Sequence, residues 1–509
     1  MKKGMVYFVG AGPGDPGLMT VKGLSCIQKA DVIVYDRLAS SKLLAQAPRR
    51  AELIYVGKSP EKHALVQEKI NLLLVEKAKE GKCVVRLKGG DPFLFGRGGE
   101  EAECLCEHAI LFEVVPGVTS ALAVPAYAGI PVTHRNYTSA VCIVTGNEDP
   151  MKEDSDLDWS KIATSAGTLV FLMGMANLGA ICQRLMENGR APKMPVALIR
   201  WGTRPEQRTL IGTLATIETY ARETHFTNPA VIVVGDVVNL REKLAWFERR
   251  PLFGKRVLVT RAREQASQMS QAIEYLGGEA VEFPTICVAP PLKEDVAKLD
   301  TALAEVSGYQ WIVFTSVNGV VAFFDRLAAL EMDVRDLKGP RLCAIGPKTA
   351  DELRGKGLRV DFLPELYRAE AIVEGLKGEI QEGDRILLPR ADIARKVLPE
   401  TLTMLGAQVN EIAAYRTVQA DDEGAGERLC QELCEGRIHI VTFTSSSTVT
   451  NFLNLVGAES IPSWRSQVRV ASIGPITSET AAKRGLTVDI EAEEYTIEGL
   501  VKSLCESVQ

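Results

Sequence analysis

The sequence predicts an α/β protein in which helices cover mostly parallel sheets. Short runs of β-branched and apolar residues alternate with helical patterns, and the runs end at or near Gly, Asp or Pro. This alternation is typical of parallel strands joined by crossover helices. In the first half of the chain, the strand candidates are residues 6–9, 32–35, 83–87, 141–145, 168–173, 196–199 and 230–234.

The second half of the chain contains an internal repeat with an offset of 128 or 129 residues. Residues 257–262 recur as 386–391, and the shorter segments 314–316 and 344–347 recur as 443–445 and 472–475. A repeat of this length predicts two similar α/β lobes. The repeated segments follow strands, where α/β sheets bind ligands, so we expect a ligand in the cleft between the lobes. Duplication that serves folding only is the alternative.

Length and local composition divide the chain further. Its 509 residues give room for three or four domains. Residues 149–158 are acidic and lack an apolar period, which predicts an exposed loop in the first half. We expect two lobes in this half, at about 1–117 and 118–245. A charged stretch that ends at Pro predicts a linker at 246–254, and a second domain is expected at 255–509.

The composition excludes several classes of protein. Hydrophobic residues make up 46% of the chain, charged residues make up 24%, and the net charge is -6. These values argue against a disordered chain, a coiled coil or a general binder of nucleic acids or anionic membranes. The uncharged stretch 114–133 contains Pro116, Pro125 and Pro131, so it predicts a buried turn and helix rather than a membrane span.

The eleven cysteines are scattered along the chain. The closest pairs, Cys104 with Cys106 and Cys430 with Cys434, do not form C-x-x-C motifs, so we expect no metal. The first residues lead into a strand pattern rather than a secretory leader. Together with the odd number of cysteines, this predicts reduced thiols and a cytoplasmic location.

Three glycine-containing segments follow strand candidates in the first half. Residues 10–15 (G-A-G-P-G-D) are similar to a dinucleotide fingerprint, but Asp15 replaces the last Gly and Pro13 removes a backbone N–H, which argues against NAD. Residues 89–99 contain five glycines, too many for a helix, and residues 115–121 have the sequence V-P-G-V-T-S-A. Together the segments predict an open loop that a ligand can approach closely.

In these glycine-containing segments, residues 1–245 resemble the uroporphyrinogen-III C-methyltransferases of the tetrapyrrole methylase family. The resemblance depends on the G-x-G-P-G-D loop, on G-G-D-P-F-x-F-G-R-G-G-E-E at 89–101, and on A-G-I-P-V-T-H-R at 128–135. It implies S-adenosylmethionine in a cleft between two lobes, and a homodimer. The cofactor contacts that it implies are Pro13, Gly89, Gly90, Asp91, Leu94, Thr119, Ser120, Met173 and Gly202.

These residue types suit such a cofactor. Backbone amides and Thr hydroxyls match its carboxylate, ribose and adenine edges, and Asp91 can attract its amino or sulfonium charge. Met173 can pack against adenine. The alternative for Met173 and Leu94 is that they pack in the hydrophobic core and do not contact the cofactor. Residues 145–147 are T-G-N where many relatives have Gly-His, so no role of that His is carried over.

Asp36 and Lys58 are the catalytic side chains that the resemblance implies. A carboxylate at Asp36 can orient pyrrole N–H groups or act as a base, and Lys58 can pair with a carboxylate of the substrate. Most of the catalysis would then come from positioning. A helix-capping Asp and a solvated Lys are the alternative.

Residues 255–505 resemble uroporphyrinogen-III synthase. The matching segments are F-T-S-V-N-G at 314–319, I-G-P-K-T-A at 345–350 and A-Y-R-T-V at 414–418. The resemblance implies that the chain crosses between two lobes twice. Residues 255–290 and 417–509 would form one lobe, and residues 293–415 the other.

The same resemblance places Tyr415 at a crossover, where it can protonate the departing hydroxyl of hydroxymethylbilane. Thr349, Ser445 and Thr477 match positions that face the substrate, and helix N-capping is the alternative for these hydroxyls. Arg261 and Lys348 are carboxylate partners by residue type only.

The resemblances together imply a bifunctional enzyme. Its second half would convert hydroxymethylbilane to uroporphyrinogen III, and its first half would methylate that product twice to precorrin-2, for sirohaem or cobalamin. Small tetrapyrroles would be its partners, without nucleic acid or membrane. Two alternatives stay open: methylation of another tetrapyrrole or a macromolecule by the first half, or a second half that only binds a ligand.

Overall fold

The computed structural model describes residues 4–37, 40–48, 50–57, 67–147, 157–260, 263–283, 286–365, 369–392, 394, 396–419 and 424–508. The chain forms two compact units that divide near Arg256, and the later segment Ile273–Glu279 also belongs to the first unit. Each unit contains two α/β lobes.

The first lobe of the first unit is built on a parallel sheet with the strand order β3-β2-β4-β1-β5. The inner strands β2 and β4 are rich in Val, Ile and Leu and are largely buried on both faces, as expected for a parallel sheet between helix layers, whereas the edge strand β3 is mostly exposed. The strands are β1 (Met5–Gly10), β2 (Val32–Tyr35), β3 (Glu52–Tyr55), β4 (Cys83–Lys88) and β5 (Leu111–Val115), and the helices are α1 (Val21–Lys29), α2 (Ser41–Leu44), α3 (Gln67–Lys79) and α4 (Gly98–Glu107).

The second lobe has a mixed sheet with the order β6-β7-β10-β8-β9. Its strands are β6 (Val141–Thr145), β7 (Thr168–Leu172), β8 (Pro195–Arg200), β9 (Arg208–Thr213) and β10 (Ala230–Val234), and its helices are α5 (Ser120–Tyr127), α6 (Trp159–Ser165), α7 (Leu178–Glu187), α8 (Ile217–Glu223) and α9 (Arg241–Leu244).

The mixed sheet departs from the mostly parallel arrangement that we predicted. Strands β6 and β7 are parallel, whereas β10 is antiparallel to both β7 and β8, and β8 is antiparallel to β9. The loop 201–207 between β8 and β9 is too short for a crossover helix, so these two strands pair as a hairpin.

The uncharged stretch 114–133 forms the end of β5, a turn and the largely buried helix α5, in agreement with its proline content. Among the described residues, the structure shows no helix with the length and apolar character needed to cross a membrane. The predicted acidic loop at 149–158 lies mostly outside the described residues, and its last residue, Asp158, caps α6.

In the second unit, one lobe has the strand order β12-β11-β18-β19-β20. Its strands are β11 (Arg256–Val259), β12 (Glu279–Glu282), β18 (Ile440–Phe443), β19 (Arg469–Ser472) and β20 (Ile490–Glu491), and its helices are α10 (Arg263–Tyr275), α16 (Ala425–Cys434), α17 (Ser446–Val456), α18 (Ile461–Trp464), α19 (Pro475–Lys483) and α20 (Ile497–Val508).

The other lobe of this unit is an uninterrupted insertion with the strand order β13-β17-β16-β14-β15. Its strands are β13 (Ile286–Ala289), β14 (Trp311–Phe314), β15 (Arg341–Ala344), β16 (Arg385–Ala391) and β17 (Gln408–Gln419), and its helices are α11 (Lys293–Ala304), α12 (Val317–Ala329), α13 (Pro347–Gly355), α14 (Ala369–Leu376) and α15 (Val397–Met404). Short 3-10 helices lie at Pro16–Leu18, Met175–Asn177, Asp236–Leu240, Val306–Gly308, Val334–Asp336 and Ala458–Ser460.

The two crossings between these lobes differ from the expected positions. We expected residues 286–290 in the outer lobe and Tyr415 at a crossover. Instead, β13 pairs antiparallel with β17 as far as Gln419, so both strands belong to the inserted lobe. The pairing satisfies backbone groups of β17 that would otherwise lie at a sheet edge. Tyr415 therefore lies within a strand, four residues before its end.

Candidate active sites

A cavity of about 530 Å³ lies at the ends of β1 and β4 in the first unit. Residues of both lobes of this unit line it. It therefore brings together all the residues that we predicted as cofactor contacts, namely Pro13, Gly89, Gly90, Asp91, Leu94, Thr119, Ser120, Met173 and Gly202.

Three glycine loops touch one another at the floor of this site. A Cβ atom on Gly117 would lie 2.3 Å from the carbonyl oxygen of Gly90, and one on Gly10 would lie 2.5 Å from the Cα atom of Gly117. Gly90 also has a φ of +66°, a conformation that favours glycine. The loops therefore expose backbone, rather than side chains, to a ligand.

The carboxylate of Asp91 organises the long glycine loop. Its Oδ1 accepts hydrogen bonds from the N–H groups of Phe93 (2.8 Å) and Leu94 (3.1 Å), and its Oδ2 accepts one from Gly117 (3.1 Å). Asp91 thus joins two of the three loops while it lines the cavity. We expected Asp91 to face a charged group of the cofactor. The structure shows in addition that its carboxylate holds two of the loops together.

Met173 and Leu94 both line the cavity. Met173 is 47% exposed, so it is not a core residue. The backbone of Met173 has a φ of +57°, which is costly for a residue with a side chain and is typical of functional sites. Asn147, at the position where many relatives have His, lines the same cavity. Thr119 caps α5, and its hydroxyl accepts from the N–H of Ala121 at 3.3 Å.

Asp36 lies beside a buried network of charges that the sequence analysis missed. Its Oδ2 is 3.7 Å from a terminal nitrogen of Arg86, whose Nε is 3.3 Å from Oε1 of the fully buried Glu101. The same Oε1 accepts a hydrogen bond from Lys88 Nζ at 2.7 Å. Burial, together with the nearby Arg86, lowers the pKa of Lys88. Lys58, the second predicted catalytic residue, lies outside the described residues.

The sequence contained a signal for this network. Arg86 and Lys88 are charged residues in a strand whose other positions are apolar, and alternate residues of a strand point to one face. A partner carboxylate was therefore required on the helix that covers that face. Glu101 on α4 supplies it, within the glycine-rich run that we quoted only for its loop.

A metal centre was not expected, and this stays a prediction. In the described part of the chain, the C-terminal end of α4 brings possible ligand atoms of Cys104, Glu107 and the capping residue His108 within 4.8 Å of one another. The Nδ1 atom of His108 already contacts the carbonyl oxygen of Cys104 at 2.9 Å.

In the second unit, Tyr415 is buried to 8% exposure on β17. Its hydroxyl lies 3.0 Å from Oγ of Ser316, and that oxygen also accepts from the N–H of Gly319 at the start of α12. Burial raises the pKa of Tyr415, against smaller opposing effects of Ser316 and Arg390. The phenol is therefore a proton donor, rather than a phenolate, at neutral pH.

The predicted hydroxyl residues of this unit occupy different positions. Ser445 caps α17, since its Oγ accepts from the N–H of Thr448 at 3.4 Å. Thr349 and Thr477 lie in the first turns of α13 and α19, are each 4% exposed, and do not cap them, because the capping positions are glycines. The N-capping alternative thus describes Ser445 but not the two threonines.

These residues do not share one cavity with Tyr415. The cavity of about 480 Å³ beside Tyr415 is lined mainly by apolar residues of β13, α11 and α12, without Thr349, Ser445 or Thr477. Of the two cations suggested by type, Lys348 donates from Nζ to Gln268 at 2.8 Å, and Arg261 lies outside the described residues.

Each half of the chain matches a known protein family. Residues 5–218 match the family described as Tetrapyrrole (Corrin/Porphyrin) Methylases, and residues 267–502 match Uroporphyrinogen-III synthase HemD. The S-adenosyl-L-methionine-dependent uroporphyrinogen III methyltransferase of Methanosarcina barkeri is 57% identical over 241 residues, which cover 47% of this chain and 94% of that protein. A crystal structure of uroporphyrin-III C-methyltransferase from Thermus thermophilus, complexed with S-adenyl homocysteine, is 38% identical and covers 46% of this chain and 99% of that one, with a TM-score of 0.40.

The chain is thus a tetrapyrrole methylase joined to a uroporphyrinogen-III synthase. The porphyrin biosynthesis protein HemD of Ruminiclostridium josui is 39% identical over 508 residues, which cover 99% of this chain and 98% of that protein. The chain belongs to the same family of fused porphyrin biosynthesis proteins.

Proposed function

We propose that this chain is a bifunctional enzyme of tetrapyrrole biosynthesis. Its second half cyclises hydroxymethylbilane to uroporphyrinogen III with inversion of ring D, and its first half methylates that product twice to precorrin-2, for sirohaem or cobalamin. The observation that carries the proposal is similarity over almost the whole chain to a porphyrin biosynthesis protein, with a recognisable family match in each half.

The residues of the first cavity fit S-adenosylmethionine as the methyl donor. Exposed backbone of the glycine loops suits its polar ends, and the projecting side chain of Met173 suits a flat apolar ring. When bound, the donor supplies a methyl group that is already activated. The chain's own task is to position the macrocycle, and we propose that Asp36 and Lys58 do so, with Asp36 orienting pyrrole N–H groups or accepting the released proton.

In the second half, we propose that Tyr415 protonates the departing hydroxyl of hydroxymethylbilane, which leaves as water. Burial keeps the phenol protonated, and Ser316 holds its hydroxyl. Thr349, Ser445 and Thr477 are proposed contacts to the substrate. Their positions at helix starts place hydroxyls next to backbone N–H groups that suit carboxylates.

We also propose the domain limits 1–245 and 255–509, joined by the linker 246–254. A homodimer through the methylase half and a cytoplasmic location belong to the same proposal, without metal, membrane or nucleic-acid partners. The cysteines whose side chains the structure describes are free thiols, which supports a reducing compartment.

The first experiment incubates the purified chain anaerobically with enzymatically made hydroxymethylbilane, with and without S-adenosylmethionine. We expect uroporphyrinogen III without the methyl donor and a product two methyl groups heavier with it. If only the spontaneous isomer uroporphyrinogen I forms, the synthase proposal is wrong and the second half is a binder. If isomer III forms without added mass, the methylase proposal is wrong.

A further inference from the structure

A second cavity of about 340 Å³ adjoins the cofactor cavity, and three arginines line it. They are Arg37, Arg204 and Arg250. Most of its lining residues precede Arg256. The others, Glu274 and residues 277–279, lie at the end of α10 and the start of β12, in the segment Ile273–Glu279 that belongs to the first compact unit. Arg37 and Arg204 also line the cofactor cavity, whereas Arg250 lines only the second one.

Aromatic rings hold two of these guanidinium groups in place. The central carbon of Arg204 lies 4.9 Å from the ring centroid of Trp201, and that of Arg250 lies 4.7 Å from the ring centroid of Trp246. Arg204 also packs on the first glycine loop, where a Cβ atom on Gly14 would lie 2.9 Å from its Nε. Stacking of this kind orients a guanidinium while its N–H donors stay available to a ligand.

The carboxylates of this cavity do not neutralise the three arginines. In the parts of the chain that the structure describes, no Asp or Glu oxygen lies within 4.0 Å of a guanidinium nitrogen of any of them. Two of the four acidic residues in the lining are paired with other cations, Glu274 with Lys42 and Glu279 with Arg256. Asp15 accepts a hydrogen bond from the neutral hydroxyl of Tyr127 and keeps its charge. The three guanidinium groups therefore outnumber the two remaining carboxylates, those of Asp15 and Glu206, which leaves an excess of positive charge.

We propose that Arg37, Arg204 and Arg250 bind carboxylate groups at the rim of the macrocycle that is methylated. The inference rests on the proposed function, in which the substrate carries eight carboxylates. A guanidinium binds a carboxylate through two parallel hydrogen bonds, so a set of oriented arginines fixes both the position and the rotation of the ring. Because the two cavities adjoin, this would hold one edge of the ring beside the methyl donor.

The three arginines could instead bind the carboxylate of the methyl donor. Arg250 distinguishes these two ligands, because it lines the second cavity but not the cofactor cavity. The test compares wild type with Arg250→Met and Arg37→Met. It measures the KM for uroporphyrinogen III, kcat, the dissociation constant of S-adenosylhomocysteine by calorimetry, and binding of uroporphyrin III by fluorescence. We expect each variant to raise KM and the uroporphyrin dissociation constant about 5- to 20-fold. For Arg250→Met, which changes a residue outside the cofactor cavity, S-adenosylhomocysteine affinity should stay within about twofold of wild type.

Arg208→Met is the matched control. Arg208, in the same lobe as Arg204, also stacks on an aromatic ring: its central guanidinium carbon lies 5.7 Å from the ring centroid of Phe226. Arg208 lines neither cavity. Its KM should stay at the wild-type value. If Arg250→Met weakens S-adenosylhomocysteine instead, or if it behaves as the control does, the inference is wrong and the proposed function stands. A wild-type chain that does not methylate uroporphyrinogen III would contradict both.

Discussion

Glu101 accepts hydrogen bonds from three side chains while it is completely buried. Its Oε1 lies 2.7 Å from Lys88 Nζ, 3.3 Å from Arg86 Nε and 3.0 Å from Gln67 Nε2. Removing such a carboxylate leaves two buried cations without their shared partner, which costs far more than the loss of a surface pair.

We therefore expect Glu101→Gln to lower the free energy of unfolding of the first unit by about 3–5 kcal/mol. Denaturant unfolding followed by the tryptophan fluorescence of the chain would measure this. The control is Glu100→Gln in the same helix, because the pair of Glu100 with Arg97 has both side chains more than half exposed. The control should cost less than about 1 kcal/mol, and equal losses would contradict a structural role of the buried network.

At Tyr415, the chemistry depends on one hydroxyl. We expect Tyr415→Phe to lower the kcat of uroporphyrinogen III formation about 100-fold or more, because the leaving group loses its acid. Burial raises the pKa of Tyr415 above its ordinary value of 10.0, so its protonated form persists as the pH rises. The wild-type synthase rate should therefore not fall between about pH 7 and 9 through this group.

Tyr309→Phe is the control for that experiment. Tyr309 is also a buried tyrosine of the inserted lobe, and its hydroxyl accepts from Asn410 at 2.6 Å. Its loss should leave kcat within about twofold of wild type. A Tyr415→Phe chain that keeps its rate would show that Tyr415 is not the acid.

At the scale of elements, the close approach of the glycine loops sets the shape of the cofactor cavity. A side chain on Gly117 collides with backbone on two sides, at Gly90 and Gly10, and neither can move without displacing the other loop. We expect Gly117→Ala to weaken S-adenosylhomocysteine binding at least about 10-fold in calorimetry.

Gly99→Ala provides the comparison for this variant. Gly99 lies near the start of α4, and a Cβ atom there meets nothing within 4 Å. This substitution should leave the affinity unchanged and stabilise the helix by up to about 1 kcal/mol. Equal affinities of the two variants would show that the contact of the loops does not shape the cofactor site.

The sequence predicted elements best where a local pattern decides them. The glycine loops follow strands of a parallel sheet, so the predicted cofactor residues had to meet at one edge, and they do line one cavity. Long-range pairing was less predictable. The hairpin of β8 and β9 and the strand β13 depend on a partner elsewhere in the chain, which strand periodicity does not reveal. Glu101 was missed although the charged residues Arg86 and Lys88 in β4 indicated that a carboxylate partner was needed on the covering helix.

At the scale of the whole molecule, the two proposed activities use different residues in different units. A Tyr415→Phe chain supplied with uroporphyrinogen III should thus methylate it at the wild-type rate, and a Gly117→Ala chain should still form uroporphyrinogen III from hydroxymethylbilane. Product analysis by mass and isomer would measure both. Loss of both activities in either variant would contradict separate sites.

The discontinuous lobe of the second unit has a consequence for synthesis on the ribosome. Its first strand in the chain, β11, pairs with the central strand β18, and the hydrogen bond from Thr260 to Thr442 spans 182 residues. At about 5–20 residues per second, β11, α10 and β12 wait roughly 10–40 s for their partner strand to emerge. The inserted lobe is continuous and can complete its own sheet in that interval, so the nascent chain exposes an apolar strand next to a finished lobe, and that strand is where a chaperone would bind.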